Sequence, residues 1–171
     1  MEQSTQTQEV DRFSMLRIMS GMPDQTEFSL KVTGSSMVPT FLDKQSMAWL
    51  KKDAAYTPRA GDVVFFIRED GAFVLHRILK IRKDGKLVMN GDAQTWTEVI
   101  DPAQIMARMT HYVQKPGGKD RSADSFYCRN WQWWWRKLRP IHAIWARLYY
   151  YWHRIPYKLG IKKDVIETSA E

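Results

Sequence analysis

Cysteine is almost missing from this chain: Cys128 is the single one in 171 residues. One thiol cannot close an internal disulfide, and it excludes every multi-cysteine metal site. Histidine is also sparse. The four, at 76, 111, 142 and 153, show no HxxxH or HExxH spacing, so a metal is not expected. No apolar run approaches the ~18 residues of a membrane-crossing helix. The first 25 residues are polar and broken by charge, unlike a secretory signal. Together these gaps lead to the expectation of a cytoplasmic protein. Internal repeats are lacking too.

Acidic residues vanish over one long stretch. Ser125 to Lys163 contains no Asp or Glu but nine Lys and Arg, against a whole-chain net charge of +7. The rest therefore carries −2, and a near-neutral body is followed by a strongly basic tail.

What is present reads in order as follows. Residues 1–27 are a polar segment and a short helix, Val10 to Met22, with Val10, Phe13, Leu16, Ile18 and Met19 as its apolar positions. Gly21 and Pro23 close that helix. From Phe28 the apolar period shortens to two, which predicts strands at Phe28–Val32, Ser46–Lys51, Asp62–Ile67, Phe73–Arg82, Lys86–Asn90 and Ile105–Gln114. Glu69-Asp70-Gly71 and Lys83-Asp84-Gly85 supply hairpin turns. Residues 91–104 read as a longer connection and 115–124 as a linker. The fold class is mainly β: an antiparallel β domain over 28–114, the short N-terminal helix, and amphipathic helices in the tail, 125–171.

Two segments carry candidate chemistry. In Val32-Thr33-Gly34-Ser35-Ser36-Met37-Val38-Pro39-Thr40 a strand ends at a glycine turn bearing two hydroxyls, and a proline stiffens the exit. A serine there presents Oγ beside a free backbone N–H, a nucleophile next to an oxyanion donor. In Val74-Leu75-His76-Arg77-Ile78 the histidine shares a strand face with Val74 and Ile78. A lone histidine among apolar neighbours is more often a core residue than a catalyst. Its pairing with a turn serine and downstream acids shifts that balance, because Ser-His-acid sites are defined by geometry rather than chain order.

Four segments then coincide with one family. Gly34-Ser35-Ser36-Met37-Val38-Pro39-Thr40 resembles the serine box GxSMxPT of the signal-peptidase-I-type serine endopeptidases. Gly61-Asp62-Val63-Val64-Phe65-Phe66, Leu75-His76-Arg77-Ile78 and Asn90-Gly91-Asp92-Ala93 are similar to its later boxes, in the same order, over about residues 28–114. The resemblance implies a signal-peptidase-like fold, no cofactor, and cleavage of a preprotein, precursor or leader peptide. It makes Ser36 the nucleophile and His76 the base, as in the endoplasmic-reticulum type, where bacterial relatives carry lysine. The third member is open between Asp92, in the Gly-Asp box, and Glu98, where His-type members often carry the acid. Glu98 is preferred as the orienting carboxylate, with Asp92 ordering its loop. The oxyanion donors are expected from backbone N–H groups of Ser36, Ser35 and Gly34. Lys44 stands where family members often have glycine, and the membrane enzymes' N-terminal anchor has no counterpart here. A related self-cleaving repressor is disfavoured, since residues 1–27 are too few for a DNA-binding domain and such proteins use lysine as base.

The tail crowds Trp131, Trp133, Trp134, Trp135, Trp145 and Trp152 among Arg136, Lys137, Arg139 and further cations. At helical spacing Ile141, Ile144, Trp145, Leu148, Tyr151, Trp152 and Ile155 share one face. Basic, tryptophan-rich and amphipathic is the profile of a helix lying in an anionic membrane interface. Trp131, Trp134, Trp135, Trp145, Trp152, Arg136, Lys137 and Arg139 are the expected interface residues. Packing of the tail on its own β domain is the alternative. Nucleic acid is not expected, because no recognition motif accompanies the charge. A second function class, a non-catalytic peptide-binding or membrane-surface protein with the same fold, stays open beside the endopeptidase.

Overall fold

The computed structural model describes residues 12–126, 128 and 129. The expected interface residues Trp131, Trp134, Trp135, Trp145, Trp152, Arg136, Lys137 and Arg139, and the tail helices, lie outside the described residues.

One helix, α1 (Arg12–Gly21), precedes eight strands: β1 (Glu27–Lys31), β2 (Met47–Lys51), β3 (Val63–Ile67), β4 (Phe73–Ile81), β5 (Leu87–Asn90), β6 (Glu98–Ile100), β7 (Ile105–Val113) and β8 (Asp120–Ser122). They form one open, wholly antiparallel sheet in the order β1-β2-β7-β3-β4-β5-β6. One edge of β7 pairs with β2. The other pairs with β3 over Val64–Phe66 and then with β8 over Asp120–Ser122. The segment expected to be a linker thus contains β8. Past it, the Arg129 N–H bonds the Ser125 carbonyl at 3.0 Å and Cys128 is buried in the core.

Alternation along β3 explains why the sheet has two apolar sides. Val63 and Phe65 join a core with Met37, Phe41, Leu50, Met109 and Tyr112. Val64 and Phe66 join another with Ile78, Leu87, Met89 and Ile100. Successive side chains point to opposite faces, so a run of apolar residues marks a strand buried on both. Register shifts at Trp49/Leu50, Phe65/Phe66 and Ile78/Lys80 interrupt the ladders. Such bulges bend and twist the strands that carry them.

The buried face of α1 differs from the expected one. Met19 is fully buried, and Met15 and Met22 pack beside it at helical spacing, whereas Phe13 and Ile18 point outward. Methionine fills irregular gaps at a sheet edge more readily than a ring does. The Lys52 ammonium donates to the carbonyls of Met19 (2.9 Å) and Met22 (2.6 Å), placing a cation at the helix C-terminus. No helix among the described residues is long and apolar enough to cross a membrane.

Candidate active site

The turn after β1 is built around Ser36. Gly34 adopts φ +88°, a left-handed conformation that few side chains tolerate. Met37 and Phe41 sink into the core, and the Val38–Pro39 peptide is cis. Ser36 itself is half-buried. Its carbonyl accepts the Ala93 N–H at 2.8 Å, tying the turn to the Asn90-Gly91-Asp92-Ala93 segment. Glycine at 91 is required by this contact: a Cβ there would lie 2.5 Å from the Ser36 carbonyl oxygen.

Of the three expected oxyanion donors, Gly34 is engaged elsewhere. Its N–H donates to Asp43 Oδ1 at 2.8 Å. Among the described residues the Ser35 and Ser36 N–H groups have no acceptor. Lys44 sits at φ 56°, a left-handed conformation that glycine adopts more readily than lysine.

His76 lies on β4 opposite Val64 of β3. The ring is buried, with Phe66 6.2 Å and Trp96 6.4 Å away between centroids. Nδ1 is 3.1 Å from Glu98 Oε1, and Glu98 is held in turn by Arg68, Nε to Oε2 at 2.5 Å and Nη2 to Oε1 at 2.7 Å. Burial lowers the imidazole pKa below its ordinary value, against the opposing pull of the Glu98 carboxylate. For Glu98, burial acts to raise the carboxyl. The hydrogen bonds and charge of Arg68, with His76, outweigh it and bring the group below the usual range. An ionised carboxylate can only accept, so Nδ1 must carry the proton and Nε2 the lone pair. Among the described residues Nε2 has no hydrogen-bond partner.

Asp92 answers to different groups. Arg77 meets it with two bonds, Nε to Oδ1 and Nη2 to Oδ2, both 2.7 Å, and Thr40 donates its hydroxyl to Oδ2. Arg77 also donates to the Gly61 carbonyl at 2.9 Å. Both side chains are 2% exposed. This buried pair ties together the serine turn, the Gly-Asp turn before β3, β4 and the 91–94 turn.

Ser36 and His76 line one cleft of about 410 Å³. Leu30, Phe73 and Leu75 give it apolar walls, Gln94 lines it too, and Arg68 and Trp96 line it beside the imidazole. No hydrogen bond joins Ser36 Oγ to His76 among the described residues. A hydroxyl, a neutral imidazole oriented by a carboxylate, and the unoccupied Ser36 N–H at one cleft are parts needed for acyl transfer, while Ser35 lies outside the cleft lining. Arg68 and Trp96 had not been anticipated from sequence. Arg68 looks like an ordinary charge at a hairpin turn, and Trp96 like one residue of an irregular connection. No protein-family model, curated protein or solved structure matches this chain.

Proposed function

We propose that this protein is a serine endopeptidase of signal-peptidase-like fold that cleaves a precursor or leader peptide. Ser36 attacks the scissile carbonyl, and His76 Nε2 takes the hydroxyl proton and returns it to the leaving amine. Glu98 holds the imidazole in the required tautomer, and the Ser36 N–H receives the oxyanion. The observation that carries this reading is the 3.1 Å contact between His76 Nδ1 and Glu98 on a cleft that Ser36 also lines. The test is co-expression with candidate precursor peptides. Intact masses show trimming by the wild type and none by Ser36→Ala or His76→Ala. Equal trimming by the Ser36→Ala protein removes the assignment.

The basic aromatic tail holds the enzyme on an anionic membrane surface in this reading. Its support is sequence alone: cations interleaved with tryptophans, which favour the headgroup region. Because Cys128 packs in the core, the informative truncation falls after Arg129. Loss of binding to phosphatidylserine-containing vesicles on that truncation supports the anchor, and undiminished binding refutes it.

A second reading is favoured by one observation, the missing Ser36–His76 hydrogen bond. It makes the molecule a peptide-binding protein that keeps the fold without turnover. Peptide capture by the wild type, with no new termini under any condition, would establish it. Unliganded catalytic hydrogen bonds are often long and tighten on substrate binding, so the endopeptidase is preferred.

A further inference from the structure

We propose that Arg68 is the positioning residue of this site: its guanidinium fork fixes Glu98 so that Oε1 faces His76 Nδ1. The proposal rests on the endopeptidase reading for its catalytic consequence, though not for its geometry. Glu98 sits on β6, a three-residue strand at the edge of the sheet that, among the described residues, pairs with β5 alone. A glutamate at such an edge has several side-chain torsions to fix, and the strand backbone narrows them without selecting one.

Arg68, just beyond the end of β3, supplies the restraint from the other side. Both guanidinium bonds reach the carboxylate, and Oε1 is shared between Arg68 Nη2 and His76 Nδ1. The shared oxygen is what converts an ion pair into an aiming device, because moving the guanidinium moves the atom that orients the imidazole. Trp96 braces the arrangement. Its ring lies 5.7 Å from the Arg68 guanidinium carbon and meets His76 edge-on. A planar two-pronged donor is needed for this task, and an ammonium is a point charge without the fork.

The charged groups acting on His76 are Glu98 from β6, Arg68 from the β3–β4 turn and Asp92 from the 91–94 turn. Arg68 is the one cation among these three. Its loss lets the carboxylate wander from the imidazole, which then gives up the hydrogen bond that favours its protonated form.

The test uses the full chain in wild-type, Arg68→Met, Arg68→Lys and Glu98→Gln forms, with thermal unfolding to verify folding. Nuclear magnetic resonance of the imidazole follows the downfield Nδ1–H signal and the His76 titration, neither of which requires turnover. Arg68→Met is expected to weaken or abolish that signal and move the titration to lower pH, because losing the Glu98 hydrogen bond outweighs losing the Arg68 charge. Arg68→Lys should return part of the signal and of the titration, because an ammonium still draws the carboxylate without fixing its orientation. With a peptide the wild type cleaves, Arg68→Met lowers kcat about tenfold to a hundredfold with KM little changed, the range seen when an outer-shell partner is lost. An unchanged Nδ1–H signal and titration overturn the proposal, as does a rise in KM at constant kcat, which makes Arg68 a substrate contact. Should Arg68→Met fail to fold, Arg68→Lys decides by the sharpness of the same signal. If Ser36→Ala cleaves like wild type, the function reading fails while the resonance experiment still judges Arg68.

Discussion

Asp92 and Glu98 stand six positions apart and answer to different arginines. From sequence Glu98 is preferred as the orienting acid only through a family resemblance, because a carboxylate's task is set by the cation that faces it across the sheet. Arg77 and Arg68 both look like unremarkable charges in one dimension. Their separation has a direct consequence. Glu98→Gln is expected to leave the fold intact and lower kcat by about 10²–10⁴, the scale of losing the orienting acid of a triad. Arg77→Met strands the Asp92 carboxylate in a dry interior and is expected to cost about 3–5 kcal/mol of stability. Urea unfolding beside peptide-cleavage kinetics distinguishes the two. A Glu98→Gln protein with full activity would transfer the orienting role elsewhere.

Six strands were legible to within a residue at most ends, because period-two alternation and Asp-Gly turns report a half-buried pleat directly. The two missed strands, β6 and β8, have three residues each, too few for any alternation to declare itself. Their pairing is decided by neighbours, β5 and β7, that only the folded sheet brings near. The face of α1 was misread for a related reason. Phe13 and Ile18 are as apolar as Met15 and Met19, and only contact with the sheet chooses between them. The Asn90–Ala93 turn offers the sharpest prediction about an element. Gly91→Ala puts a methyl group 2.5 Å from the Ser36 carbonyl, so the turn must move. A loss of about 1–3 kcal/mol, typical of overpacking, is expected in denaturant unfolding. Cleavage should fall further than stability explains, since the Ala93 bond to Ser36 is strained at the same time. Wild-type activity in that variant would show that the serine turn is positioned without this strap.

Considered whole, the molecule is predicted to weaken in acid through its own candidate site. His76 and Glu98 both have pKa values below their ordinary 6.5 and 4.5, so the unfolded chain takes up protons first. Their stabilisation is complete above those ordinary values. It is lost for His76 as pH falls below 6.5, and for Glu98 as pH falls below 4.5. Unfolding measured across that range should show stability falling with pH, less steeply once His76→Gln removes one group. Cleavage should follow the same acid limb, with its midpoint below the ordinary histidine value and a level plateau above. The central claim is that one hydroxyl and one imidazole at a shared cleft break peptide bonds. Incubating the purified full chain with a proteome-derived peptide library, and reading new termini by mass spectrometry, tests it most directly. New termini from the wild type and none from Ser36→Ala or His76→Ala is the predicted result; the same termini from all three proteins, or none from the wild type, would contradict it.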